Sequence, residues 1–248
     1  MTATDTHQPV TQGHLLGGKV RYAQMRDGFR SGLEPVLLAA AIPARANEQV
    51  LEAGTGAGAA LLCLAVRVPA VGGVGVEQDA DLVRLATDNA RSNGFGGLRF
   101  VAGAIETVDL PAPFDHACAN PPFHDPAGTR SPDPGRDAAK RGAEGLLAVW
   151  AAALARRLRP RGTLTFILPA SRLPDGLAAL TRAGCPASAI LPLWPKPGRS
   201  CKLMLVRGVK FGHAPLRLLS GLTLHRPEGG FTADTEAILR AGAGLSLD

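Results

Sequence analysis

A glycine-rich turn between an apolar strand and an apolar helix constrains the fold of this chain more than any other segment. Residues 49–53 have the short apolar pattern of a buried strand, and residues 59–68 have the longer apolar pattern of a helix. Gly54, Gly56 and Gly58 lie between them, where glycine lets the backbone adopt positive φ angles and approach a ligand closely. Their spacing is GxGxG, which differs from the GxGxxG of dinucleotide-binding folds. This order predicts an α/β fold with a ligand site at the carboxyl end of the strand.

Strand and helix patterns alternate along most of the chain. They predict a Rossmann-like, doubly wound sheet of seven strands, mostly parallel with a C-terminal antiparallel strand, and with helices on both faces. We expect a flexible lead over residues 1–14 and a single domain over residues 15–248, with residues 211–248 as an extension that packs on the domain. The strands are expected at residues 49–53, 73–77, 98–102, 115–119, 162–168, 189–194 and 201–208.

Composition narrows the class of protein. The 248 residues are 46% hydrophobic and 19% charged, which suits one folded domain with a full core. The four cysteines form no CxxC pair, so we expect reduced thiols and no metal site. Neither a signal peptide nor a membrane-spanning run is apparent, which predicts a soluble, cytoplasmic protein without a membrane partner. The net charge of +6 is compatible with a polyanionic partner.

Two acidic residues beside the glycine turn favour one cofactor. A carboxylate at Glu52 would repel a pyrophosphate and attract a cationic amino group. Glu77 ends the second strand, where an acid can accept hydrogen bonds from ribose hydroxyls. An amino acid joined to a nucleoside without phosphates describes S-adenosylmethionine. The candidate cofactor-binding residues are Glu52, Ala53, Gly54, Thr55, Gly56, Gly58, Glu77, Gln78, Ala104, Ile105 and Asn120.

The tetrapeptide Asn120-Pro121-Pro122-Phe123 follows the fourth strand and holds acceptors rigidly beside an aromatic ring. Taken alone, it is equally typical of a plain proline turn. Because proline fixes φ and removes backbone donors, the Asn120 amide oxygen and the Pro121 carbonyl can accept the two N–H groups of a planar amine. Phe123 could stack on a base, a contact worth about 1–3 kcal/mol. The candidate catalytic residues are therefore Asn120, Pro121, Pro122 and Phe123.

With the acids and the glycine turn, this motif resembles class I S-adenosylmethionine-dependent methyltransferases that modify amino groups. Residues 24–30, 37–40, 51–65 and 115–123 most resemble the bacterial tRNA(Val) adenine N6-methyltransferase family. The resemblance implies an RNA partner and transfer of a methyl group to an exocyclic amino group of a nucleobase, adenine N6 in tRNA being favoured. S-adenosyl-L-homocysteine would be the product, and a monomer is favoured.

The chain departs from the family pattern at three places. Glu34 stands where the family usually carries Asp, and Phe123 stands where it usually carries Tyr. The segment Gly103-Ala104-Ile105 lacks the acid that commonly meets the cofactor's adenine, so backbone amide and the Ile105 side chain are expected to serve instead.

Two groups of basic residues are candidates for RNA phosphate contacts, and a solvated surface is the alternative for both. One group follows the catalytic motif and the other lies in a later turn. They are Arg130, Arg136, Lys140 and Arg141, and then Lys196 and Arg199. His116 is expected to be packed or hydrogen-bonded within a strand, and Trp150 is expected in the core.

Other functions stay open. Residues 120–125 also resemble ribosomal RNA guanine N2-methyltransferases, and protein-glutamine methyltransferases use the same motif on a side-chain amide. A nicotinamide dehydrogenase is disfavoured by the GxGxG spacing and by Glu52. A catalytically silent RNA-binding protein that retains the fold is the alternative from a different class.

Overall fold

The computed structural model describes residues 10–26, 31–111, 113–122 and 135–248, and within the last range it describes side chains from residue 145 onward. The chain first forms an antiparallel hairpin of strands β1 (Val10–Leu15) and β2 (Val20–Met25). The expected flexible lead over residues 1–14 is therefore wrong for residues 10–14, because their backbone pairs with β2. Residues 1–9 lie outside the described ranges.

In the described part of the chain, the central sheet has nine strands. They are β3 (Gln49–Ala53), β4 (Gly72–Glu77), β5 (Leu98–Ala102), β6 (Phe114–Ala119), β7 (Leu158–Pro169), β8 (Ala187–Trp194), β9 (Leu203–Val209), β10 (Arg217–Leu218) and β11 (Leu222–Thr223). Their order is β10-β8-β9-β7-β6-β3-β4-β5, with β11 also paired to β8. All pairings are parallel except those of β9, which runs antiparallel to both β7 and β8. The seven expected strands all form, and two strands of two residues each extend the edge at β8.

Helices cover both faces of this sheet, which confirms the doubly wound architecture. Side chains alternate between the two faces along a strand, so Leu205 packs in the core on one face and Val206 in the core on the other. The helices on the first face are α1 (Glu34–Ala41), α2 (Ala59–Arg67) and α3 (Ala80–Ser92), and those on the second are α4 (Gly135–Arg157) and α5 (Leu173–Arg182).

The segment after β9 packs against the edge of the sheet and against α1. It contains β10, β11 and the short helix α6 (Ala233–Glu236), which continues into a π-helical turn. The Leu245 N–H donates to the Ala40 carbonyl at 2.8 Å, and Leu247 is buried. The Arg207 guanidinium of β9 lies 3.2 Å from the Asp248 carboxylate. The C-terminal residues thus share the core of the domain.

Candidate active site

A cavity of about 680 Å³ opens at the carboxyl ends of the central parallel strands. Parallel strands end at the same edge of a sheet, so segments far apart in the chain meet there. Ten of the candidate cofactor-binding and catalytic residues line this cavity. They are Glu52, Gly54, Thr55, Gly56, Glu77, Gln78, Ile105, Asn120, Pro121 and Pro122.

Three candidate cofactor-binding residues do not line the cavity. Ala53 is buried in the core on the side of α4 and α5. Gly58 is the N-cap of α2, and a Cβ at this position would lie 3.0 Å from the Phe100 ring, so this glycine serves close packing. Ala104 is the third, and its neighbour Gly103 lines the cavity in its place. The Gly103 N–H donates to the Glu77 carbonyl at 2.8 Å and holds this turn against β4.

The glycine turn forms a cradle at the base of the cavity. Gly54 and Gly56 have φ angles of +65° and +55°, a region that favours glycine. A Cβ at Gly54 would meet the Trp150 ring at 2.6 Å, so the turn rests directly on this indole. A Cβ at Gly56 would meet no atom within 4 Å and would occupy open space. The turn is therefore packed against Trp150 at Gly54 and open to the cavity at Gly56.

Glu52 presents a buried carboxyl group to the cavity. Its side chain is 3% exposed, and its Oε2 accepts a hydrogen bond of 2.6 Å from the Thr55 hydroxyl. Burial raises the pKa of this carboxyl to about 8, and the nearby Glu77 carboxylate adds to the shift, while the Thr55 hydroxyl opposes it. A cationic ligand group would favour the ionised form of so deeply buried an acid, so this site is matched to such a group.

The Glu77 carboxylate organises the turn at the end of β4. Its Oε2 accepts from the Gly56 N–H at 3.0 Å, and its Oε1 accepts from the N–H groups of Gln78 and Asp79 at 2.8 and 3.2 Å. A carboxylate has about four lone-pair sites, so Oε2 retains capacity for another donor. The acceptor groups of this cavity therefore fit S-adenosylmethionine, with Glu52 available to an amino group and Glu77 to a hydroxyl.

Asn120, Pro121 and Pro122 follow β6 directly and bring the acceptor motif into the same cavity. Pro121 is buried, whereas Asn120 is half-buried and Pro122 is exposed. Phe123, the fourth candidate catalytic residue, lies outside the described residues.

One wall of the cavity was not predicted from the sequence. It is formed by the β1–β2 hairpin and the start of α1. The Tyr22 hydroxyl lies 2.7 Å from the Ser31 hydroxyl, and the Ser31 N–H donates to Gln24 Oε1 at 3.2 Å. Glu34 also lines the cavity. Gln24 falls in a segment that carries the family resemblance, and Glu34 is one of the departures from the family pattern. These were the signals in the sequence for this wall. Trp150 is buried as expected, yet it also lines the cavity.

Two of the basic candidates lie at this edge of the sheet. Lys196 and Arg199 lie in the turn between β8 and β9, at the same edge as Asn120 because β8 runs parallel to β6. Lys196 donates to the Pro227 carbonyl at 3.1 Å, and Arg199 is exposed. Arg136, Lys140 and Arg141 belong to α4, in the part without described side chains, and Arg130 lies outside the described residues.

His116 takes no part in the cavity. Its Nδ1 lies 2.8 Å from the Thr163 hydroxyl and its Nε2 lies 3.0 Å from Glu48 Oε2. Burial lowers the pKa of His116, opposed by the Glu48 carboxylate. This histidine is hydrogen-bonded within the sheet, as expected.

In the described part of the chain, no helix combines the length and apolar character needed to cross a membrane. In the same ranges, no cluster of three or more His, Cys, Asp or Glu side chains is arranged to hold a metal ion.

Comparison with known proteins identifies the family. The profile of the methyltransferase small domain matches residues 34–133. A tRNA1(Val) (adenine(37)-N6)-methyltransferase of Tolumonas auensis is 30% identical over 163 residues, which cover 65% of this chain and 68% of that protein. A release factor glutamine methyltransferase of Aliivibrio fischeri is 35% identical over 79 residues, which cover 32% of this chain and 28% of that protein.

A solved structure shares the fold. It is the crystal structure of an Agrobacterium tumefaciens protein described as a predicted O-methyltransferase, with a TM-score of 0.71 and 20% identity, covering 86% of this chain and 98% of that one. The fold, the glycine cradle with its two acids, and the relatives agree with one another. The chain therefore belongs to the family of S-adenosylmethionine-dependent methyltransferases that includes the tRNA1(Val) (adenine(37)-N6)-methyltransferases.

Proposed function

We propose that this protein methylates the exocyclic N6 of an adenine in tRNA. One observation carries the proposal: the Asn120-Pro121 acceptors share a cavity with the glycine cradle and Glu52. The relatives named for tRNA adenine N6 methylation, in Tolumonas auensis and Aeromonas hydrophila, support the substrate class.

The cradle residues would hold the cofactor. The Glu52 carboxylate would receive the amino group of the methionine part, and Gly56 would leave room for the backbone to pass close to it. Glu77 Oε2 would accept from a ribose hydroxyl, and Ile105 would pack on the adenine. No metal takes part in this proposal. S-adenosylmethionine, when bound, supplies a methyl group on a positively charged sulfur.

Asn120 and Pro121 would orient the nitrogen that attacks. The amide oxygen of Asn120 and the carbonyl of Pro121 accept its two N–H groups, which favours a pyramidal nitrogen and stabilises the positive charge that develops on it. The nitrogen would take the methyl group that the sulfur gives up, and it would then release a proton to water. No strong base is required, because the methylated, positively charged nitrogen loses its proton readily. Acceptors held by proline need little reorganisation.

RNA would approach across the same edge of the sheet. The target base must leave its stack to reach the cavity, which a loop nucleotide does at low cost, and Phe123 would stack on it. Lys196 and Arg199 would contact phosphates from the β8–β9 turn. Further phosphate contacts would come from Arg130, Arg136, Lys140 and Arg141.

Asn120→Ala tests the catalytic role. We expect this variant still to bind S-adenosylhomocysteine and to lose at least about a hundredfold in turnover, because one oriented acceptor is gone. Asn120→Asp keeps an acceptor oxygen and is the matched control, expected to retain more activity than the alanine variant. Turnover near wild type in Asn120→Ala would disprove the role.

The substrate is tested by incubating the protein with labelled S-adenosylmethionine and separate pools of tRNA, ribosomal RNA and protein. We expect label in tRNA as N6-methyladenosine. The similarity to a release factor glutamine methyltransferase makes a glutamine side chain the second candidate. Label in protein alone would show that the substrate is a glutamine amide instead of adenine. Label in ribosomal RNA as N2-methylguanosine would show that the substrate base is guanine.

A further inference from the structure

Two asparagines on one face of α3 bind the free edge of strand β2. Asn89 Oδ1 accepts from the Ala23 N–H at 2.9 Å, and Asn89 Nδ2 donates to the Ala23 carbonyl at 2.9 Å. Asn93 makes the same pair with Arg21, at 2.9 Å from the N–H and 2.7 Å to the carbonyl. Each side-chain amide thus takes the place of a residue on a neighbouring strand.

The spacing of the two asparagines matches the strand that they bind. Four residues along a helix advance about 6 Å, and two residues along a strand advance about 6.6 Å. Asn89 therefore pairs with Ala23 and Asn93 with Arg21, two residues whose N–H and C=O groups point to the same edge of β2. The other edge of β2 pairs with β1. These contacts dock the hairpin onto α3.

Asn89 differs from Asn93 in one contact. Its Nδ2 also donates to the Ala57 carbonyl at 3.0 Å, inside the glycine turn. Asn89 is 3% exposed, so one buried amide joins the hairpin to the turn. The remaining Nδ2 contact of Asn93 is to the Asn89 carbonyl within α3, at 2.7 Å.

Both elements joined by Asn89 form walls of the active-site cavity. The turn contributes Gly54, Thr55 and Gly56, and β2 contributes Tyr22 and Gln24. The Ala57 carbonyl lies between two glycines of positive φ, so its direction follows the conformation of the turn. A ligand that selects one conformation of the turn also selects the position of the Asn89 amide.

From this geometry we infer that Asn89 is a positioning residue that couples cofactor binding at the glycine turn to the placement of the β1–β2 hairpin. The inference rests on the proposed function, because it requires S-adenosylmethionine on the turn. Coupling of this kind is reciprocal, so a well-placed hairpin also raises cofactor affinity. Cofactor binding would then hold the cavity wall from β2 more firmly in the position that it has in the structure.

Hydrogen exchange with Asn93→Ala as the matched control tests this coupling. In the wild-type protein, saturating S-adenosylhomocysteine should slow amide exchange in the segment Val20–Met25 about tenfold. Asn93→Ala should exchange faster yet keep the same ligand-dependent slowing. Asn89→Ala should lose that slowing at saturation and bind the ligand about tenfold more weakly than Asn93→Ala.

A second variant keeps the test valid if Asn89→Ala does not fold. Asn89→Asp keeps an acceptor for the Ala23 N–H and loses the amide donors, so it should show the same loss of ligand-dependent slowing. The inference about Asn89 would be overturned if the slowing persists in either Asn89 variant. It would also be overturned if a wild-type protein that binds the ligand shows no slowing. Either result would leave the proposed function intact. Absence of binding to the wild-type protein by calorimetry would overturn the proposed function and this inference with it.

Discussion

At the scale of single residues, the buried Glu52 carboxyl group links cofactor affinity to pH. Its pKa of about 8 means that it is mostly protonated at neutral pH before a ligand binds. A cationic amino group beside it favours the ionised form, so binding must displace the proton. This energetic requirement comes from burial, which makes the charged form costly unless a partner is present.

We expect the affinity for S-adenosylhomocysteine to rise between about pH 6 and 7.5, because ionised Glu52 becomes more available as pH approaches its pKa. Calorimetry at pH 7 in buffers of different ionisation enthalpy should detect release of most of a proton on binding. Glu52→Gln should bind more weakly and show neither effect. A wild-type affinity that is independent of pH would contradict the role of Glu52.

At the scale of elements, the glycine turn shows how one motif divides its work between packing and binding. Gly54 lies against Trp150 and Gly58 lies near Phe100, so both are needed for close approach of neighbouring side chains. Gly56 faces open space and is the position where a side chain would exclude a ligand. The spacing of the glycines predicted a close backbone approach, but only the packed neighbours distinguish these roles.

Gly56→Ala should therefore weaken cofactor binding at least about tenfold, because its Cβ would occupy the open space above the turn. The variant should keep the fold at a cost in stability of roughly 1–2 kcal/mol, because a residue other than glycine is strained at a left-handed φ. Gly94→Ala is the matched control: Gly94 has a φ of +74°, no atom within 4 Å of its Cβ position, and lies outside the active-site cavity. Both variants should lose similar stability in thermal unfolding, and only Gly56→Ala should lose affinity. Equal affinities would place the ligand elsewhere.

At the scale of the whole molecule, the C-terminal segment shares the hydrophobic core of the domain. Leu247 is 1% exposed and lies in the core with residues of α1 and α2, whereas Leu218 on the edge strand β10 is 72% exposed. A segment that shares the core should unfold together with the sheet.

We expect Leu247→Ala to lower the free energy of unfolding by about 2–5 kcal/mol, because it leaves a cavity in the core. Leu218→Ala should change that free energy by less than about 0.5 kcal/mol, since its side chain is on the surface. Urea unfolding monitored by circular dichroism distinguishes the two. Equal effects would mean that the C-terminal segment docks without contributing to the stability of the domain.

Local pattern in the sequence was enough for the order of strands and helices from α1 to β9, the glycine turn, the two acids and the Asn-Pro-Pro motif, because each is a property of a few adjacent residues. The wall formed by Tyr22, Gln24 and Glu34 was decided by tertiary structure, since it depends on where α3 places the hairpin. The same is true of the raised pKa of Glu52, which requires burial. Sequence determined which groups this protein carries, and long-range packing decided which of them meet and how strongly each holds its proton.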